Sequence, residues 1–158
     1  MKLPEENVWD YPRPPKLEHV PQTVRVEFNG VTLVDSQNTK RVLETSHPPT
    51  YYVPPDDIRM EYLRPSNERS SFCEWKGKAL YHHILVADAH AAHAGWSYPN
   101  PTPPFADIKD HVAFYPSKMS ACFVGDERVL PQDGDFYGGW VTSNLSGPFK
   151  GAPGTMHW

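Results

Sequence analysis

The stretch TVRVEFNGVTLVDS, residues 23–36, decides the fold class. Val24, Val26 and Phe28 alternate with polar residues, and Val31 and Leu33 resume the alternation after Asn29-Gly30. A period of two places one apolar set on one face of a strand. Asn-Gly readily supplies the two positive-φ positions of a tight hairpin turn. The segment therefore predicts a β-hairpin with one face against a core.

Working outward, KRVLETS (40–46) predicts a second extended run, with Val42 and Glu44 on one face and Leu43 and Thr45 on the other. KALYHHILVAD (78–88) is apolar on both faces, the pattern of a central strand. VAFYPS (112–117) predicts extended backbone, and CFVGDERVL (122–130) a hairpin through Gly125-Asp126. In HPPTYYVPPDDIRMEYL (47–63) the prolines hold Tyr51 and Tyr52 extended. Asp56 and Asp57, after Pro55, suit the first turn of a short helix carrying Ile58 and Leu63. FADIKDH (105–111) predicts one helical turn, whereas the four prolines of GWSYPNPTPPF (95–105) argue against regular pairing. The result is a mainly β chain. Residues 1–22 read as an extended, proline-rich N-terminal arm anchored by Trp9 and Tyr11, and residues 23–158 as one domain. That domain includes a Gly- and aromatic-rich tail that packs back on it.

Composition agrees and narrows the function. Eighteen prolines among 158 residues disfavour long helices, and twenty aromatic residues predict an aromatic-rich core. Fifteen basic against nineteen acidic side chains give a formal charge of −4 with no basic stripe, which argues against nucleic acid as a partner. No apolar run approaches membrane-spanning length, and the start, MKLPEENVWDYPRPP, lacks the apolar segment of a secretory signal. Two cysteines do not make a secreted disulfide framework, so a reducing, cytoplasmic setting is the expectation.

The chemistry turns on SSFCEWKGKALYHH (70–83). Cys73 begins no CxxC pair, and Cys122 is its one companion, so a four-ligand zinc site is not expected. His90 and His93 would chelate together only on a helix, which Gly95 and Pro99 shorten; they read as solvated loop histidines. His82 and His83 point to opposite faces of a strand. GPFKGAPGT (147–155) fails as a phosphate loop, because Lys150 precedes Gly151 rather than Ser or Thr. No cofactor is implied. Three readings of Cys73 stay open: a small buried plug, a reactive thiol whose charge Lys76 stabilises, or half of a disulfide with Cys122. Glu44, inward if Val42 is inward, needs a charged partner, and Lys76 and Arg59 are the expected ones.

LETSHPPTYYVPPDDIRMEYL, SSFCEWKGKALYHH, GWSYPNPTPPFADIKDHVAFYPSKM and GGWVTSNLSGPFKGAPGT together resemble domain-of-unknown-function family 427, from about Val24 to the C-terminus. The tail resembles that of the family's longer variety. The resemblance implies a β-tent: two antiparallel sheets set like a ridge tent, with one or two short helical turns. Relatives in that superfamily are often pinned by a four-cysteine zinc, which this chain lacks the residues to bind. By motif position it implies a shared pocket of Glu44, Tyr52, Cys73, Lys76, Gly77, Tyr81, Trp96 and Tyr98.

The sequence-level expectation is a small-molecule-binding domain. Tyr52, Arg59, Tyr81, Trp96 and Tyr98 would line its pocket, and Glu44, Cys73 and Lys76 would carry its chemistry. One alternative is an enzyme with Cys73 as nucleophile or redox thiol and Glu44 as acid/base. Another is an interaction protein whose arm and tail present an edge to a partner or to a second copy, giving a homodimer. A nucleotidyltransferase label attached to the family finds no paired metal-binding aspartates and no Gly-Ser phosphate loop here.

Overall fold

The computed structural model describes residues 3–134, 136–155 and 157–158. It is mainly β. The strands are β1 (Glu6–Asn7), β2 (Lys16–His19), β3 (Val24–Phe28), β4 (Val31–Ser36), β5 (Lys40–Leu43), β6 (Thr50–Tyr52), β7 (Leu63–Cys73) and β8 (Gly77–Val86). They continue as β9 (Ala89–Ser97), β10 (Val112–Phe114), β11 (Ala121–Val124), β12 (Glu127–Arg128), β13 (Leu130–Pro131), β14 (Trp140–Val141) and β15 (Leu145–Ser146). Among the described residues, helical structure is confined to short 3-10 turns. None is long and apolar enough to cross a membrane.

Two four-stranded antiparallel sheets dominate, ordered β10-β9-β8-β7 and β12-β11-β3-β4. A three-stranded sheet, β2-β5-β6, stands beside them, and the pairs β1-β15 and β13-β14 are small additions. The founding hairpin forms as expected: Asn29 and Gly30 turn with φ of 48° and 81°, and Phe28 faces Val31. A register shift between Val26 and Glu27 leaves β4 one residue longer there. Leu33 and Val34 are consequently both buried, so the simple alternation read from the sequence ends at that bulge.

The sheet β10-β9-β8-β7 has a core on each face. Val112, Phe114, Ile84, Val86 and Ala94 join Val24, Val26, Leu33 and Val34 of the facing sheet in an aliphatic core. Ala113, Ala79, Tyr81 and Trp96 join Tyr52, Tyr98, Phe105 and Tyr115 in an aromatic one. The central-strand reading of 78–88 holds, because β8 lies between β7 and β9 and contributes to both cores. Tyr51 and Tyr52 diverge accordingly. Tyr51 stacks on Trp140 in the aliphatic core, with ring centroids 4.8 Å apart, while Tyr52 enters the aromatic one.

Three expectations need correction. Ile58 and Leu63 do not share a helix: Pro55–Asp57 and Met60–Tyr62 are separate 3-10 turns, and Leu63 opens β7. Gly95, Trp96 and Ser97 do pair, with β8 on one side and β10 on the other, because the prolines begin only beyond them. His90 and His93 therefore lie on a strand rather than in a loop, and β9 bulges opposite β8 with His93 at φ 51°. That bulge brings the His93 ring within 4.6 Å of the His83 ring, centroid to centroid, and His90 within 5.4 Å.

The chain's two extremes are tied to the body. β1 pairs parallel with β15, and Val8 is fully buried with Tyr11 and Leu43. Arg41 grips Glu6 with both guanidinium nitrogens (3.0 and 2.8 Å), and its Nε donates to Glu18 (2.6 Å). This bidentate pairing of arm to sheet is half-buried, which makes it worth more than a surface ion pair.

Candidate functional site

A cavity of about 260 Å³ opens at the edge of the aromatic core. Three separate pieces of the fold supply most of its walls, and Tyr98, just after β9, completes them. The first is the end of β5 and its continuation through β6, giving Val42, Glu44, His47, Thr50 and Tyr52. The second is the β7–β8 hairpin, giving Ser71, Cys73, Trp75 and Lys76. The third is the tail, with Gln132, Phe136, Tyr137 and Lys150.

Local chemistry fixes each piece. The hairpin turn at 74–76 is held by Thr102, whose hydroxyl donates to the Trp75 carbonyl (2.5 Å) and whose N–H donates to that of Lys76 (3.1 Å). Gly77 follows at φ 109°, and a Cβ there would crowd the Asn100 carbonyl at 3.2 Å, so glycine suits the position. After β5 the chain turns back on itself, with the His47 N–H donating to the Glu44 carbonyl at 3.0 Å. Gln132 joins that turn to the tail. Its amide nitrogen donates to the Lys150 carbonyl (2.6 Å) and to His47 Nδ1 (3.3 Å), while its oxygen accepts from the Gly139 N–H (3.1 Å).

The residues singled out in the sequence divide three ways. Glu44, Tyr52, Cys73, Lys76 and Tyr98 line the cavity together. Tyr81 and Trp96 stand behind the wall. Trp96 packs at 4.6 Å on Tyr115 and edge-on at 6.3 Å to Tyr52, and a Cβ on Gly138 would run into its ring. The Tyr81 hydroxyl lies 3.0 Å from that of Ser71, which itself faces the cavity. Arg59 is elsewhere: it lies 3.6 Å from Glu61, with its guanidinium over the Tyr62 ring. Glu44 finds neither of its expected partners: its ion pair is with Arg13 (3.8 Å), and His47 Nε2 lies 3.7 Å from it.

Electrostatics distinguish the wall groups. Burial pushes the His47 pKa down to about 4, helped by the positive charges of Lys150, Lys76 and Arg13, so the ring is neutral at pH 7. With Nδ1 accepting from Gln132, Nε2 carries the proton and faces Glu44. Burial also holds the phenols of Tyr52 and Tyr98 far above their ordinary range, so both remain protonated donors. Lys150 donates to the Trp158 carbonyl (3.2 Å). Lys76 is only 8% exposed, and among the described residues no hydrogen bond or ion pair engages its ammonium. Its nearest aromatic neighbours are the Tyr98 and Phe105 rings, each 5.9 Å away.

Cys73 and Cys122 are both free thiols. Cys73 is half-buried on the cavity wall. Cys122 lies in the aliphatic core on β11, where burial pushes its thiol up to about 12. The disulfide reading therefore fails, since the two cysteines serve different cores. Among the described residues no three His, Cys, Asp or Glu side chains are placed to hold a metal ion. His47, Gln132 and Tyr137 were not singled out in the sequence, and Lys150 only as the lysine of a failed phosphate loop. The hydrogen bonds of His47, Gln132 and the Lys150 carbonyl, with the Tyr137 ring packed on them, join segments about a hundred residues apart, which no local spacing reveals.

This is a mainly β protein of antiparallel sheets with a polar, aromatic-walled cavity beside one of two cores. The family it belongs to is domain of unknown function 427 (DUF427), whose model matches residues 16–125. The match contains Glu44, Cys73 and Lys76; Gln132, Tyr137 and Lys150, which close the cavity, lie beyond it. No curated protein matches the chain.

Proposed function

We propose that this cavity binds a small molecule. The observation that carries the reading is the convergence of Glu44, Cys73 and Lys76, from two separate segments, on one hollow walled by Tyr52 and Tyr98. A few polar groups at fixed positions among rings is the usual make-up of a binding pocket. Its volume lies just under the roughly 300–1,000 Å³ of drug-sized sites, so the guest is small, of about one ring.

The test uses the folded protein. Iodoacetamide on Cys73 adds a carboxamidomethyl group to the wall. Ligand-observed NMR with a fragment library should then show hits on the untreated protein that vanish after treatment. Hits that persist unchanged on fully alkylated Cys73 would move the site elsewhere.

A second reading makes Cys73 a nucleophile or redox thiol, with Glu44 as the acid/base. It is favoured by the thiol's position on the cavity wall beside Tyr52. A pH titration of Cys73 alkylation decides it, since a thiol inert up to pH 9 cannot serve.

A further inference from the structure

Resting on the binding reading above, we propose that the cavity's guest is an organic oxyanion. Its carboxylate or phosphate head takes the Lys76 ammonium, and its apolar body leaves past Phe72 and Phe136.

Lys76 leads the argument. The Lys76 stem is buried, its ammonium is on the cavity wall, and among the described residues no anionic or hydrogen-bonding group of the protein engages it, so its donors are left for whatever fills the cavity. The rings of Tyr98 and Phe105, at 5.9 Å, offer weak compensation. The other charges nearby are already engaged. Glu44 faces Arg13 and His47, and Lys150 reaches the Trp158 carbonyl. Glu74, the remaining charged wall residue, sits on the exposed hairpin turn. An oxyanion is the group that would complete Lys76, because the Tyr98 hydroxyl is itself engaged with Tyr52 and leaves the ammonium as the donor to the head. Lys150 and Arg13, whose charges add to burial in keeping His47 neutral, act in the same sense.

The mouth specifies the rest of the guest. Phe72 on the hairpin is 77% exposed and Phe136 in the tail 54%, and both border the cavity. Large exposed rings on a cavity rim favour an apolar or planar body over a fully hydrated ion.

The test is a matched series on the intact chain: benzoate, phenylphosphate, benzyl alcohol and benzylamine, followed by calorimetry. Each carries one ring and differs in its head. Benzoate or phenylphosphate should bind at least tenfold more tightly than the alcohol or the amine, and their order identifies the head. Lys76→Met should remove that preference, and Lys76→Arg should keep it. If Lys76→Met does not fold, Lys76→Gln, with its fold checked by thermal melting, takes its place. Equal or tighter binding of the amine or alcohol would overturn the oxyanion while leaving the cavity reading intact. An anion preference that survives in Lys76→Met or Lys76→Gln would overturn the role of Lys76. Anion binding unchanged after Cys73 alkylation would overturn the cavity reading as well. Absence of binding by all four probes counts against the proposal; the fragment screen then decides separately whether the cavity binds anything.

Discussion

The two cores of this protein sit on opposite faces of one sheet and are built from different stock. The aliphatic core brings Val24, Val26, Leu33, Val34, Ile84 and Val112 together from two facing sheets. Branched side chains of this kind interdigitate to crystal-like density. The aromatic core relies on Tyr52, Tyr81, Trp96, Tyr98, Phe105 and Tyr115, with the sheet β10-β9-β8-β7 on one side and the short sheet β2-β5-β6 together with loops on the other. Rings are large and rigid, and where a short sheet and loops rather than a full second sheet face them they leave a hollow. The first core holds the fold together; the second leaves room for chemistry. The two thiols follow the same division, Cys122 sealed in one and Cys73 at the edge of the other.

The largest test of this difference removes a ring from the aliphatic core. Phe114 is fully buried there, and Phe114→Ala should cost about 3–5 kcal/mol in chemical denaturation. A loss below about 1 kcal/mol would mean that this core is not the main support.

Next comes the closure of the aromatic core by the tail. Gly138→Ala forces a methyl group against the Trp96 ring, and should cost about 1–3 kcal/mol while exposing Trp96 to acrylamide quenching. An unchanged melting midpoint would show that the tail gives way freely.

The third test is pH. His47 titrates near 4 when folded and near 6.5 when unfolded, so the unfolded chain takes up its proton first. Its contribution is complete above about pH 6.5 and is lost as pH falls towards 4, by on the order of 3 kcal/mol. His47→Gln should flatten that window in denaturation curves measured from pH 7 to 4. A slope equal to that of the parent protein would assign the dependence to other groups.

The smallest effect is on labelling alone. Burial both raises the Cys122 thiol pKa and shields it, so iodoacetamide at pH 8 should modify Cys73 in the folded protein and reach Cys122 only in denaturant. Equal labelling of both by peptide mass mapping would erase the distinction between the cores.

The aliphatic core was the more legible of the two in the sequence, and the reason is physical. Hairpins announce themselves locally, through Asn29-Gly30 and Gly125-Asp126 between alternating residues. β7 and β9 did not. β7 is an edge strand whose run RPSNERSS carries no apolar alternation, and β9 is rich in Ala and His and broken by a two-residue bulge. Glu44, Cys73 and Lys76 were legible as candidates from residue type and strand face, and the resemblance of their motifs to a family grouped them with Tyr52 and Tyr98 in one pocket. Arg59, chosen as a charge that could reach Glu44, fails because the turn at Met60–Tyr62 directs it to Glu61 and Tyr62 instead. His47 is drawn to Gln132 by tertiary contact alone, and so lay outside any local pattern.

The divergence of Tyr51 and Tyr52 gives the molecule a way of reporting on itself. One peptide bond separates a ring on the cavity wall from a ring stacked on an indole in the opposite interior. The Trp140 Nε1–H, bonded to the Phe114 carbonyl at 3.0 Å, is therefore a natural spectroscopic sentinel. A guest that shifts Tyr52 should be readable at that indole resonance without any label placed in its path.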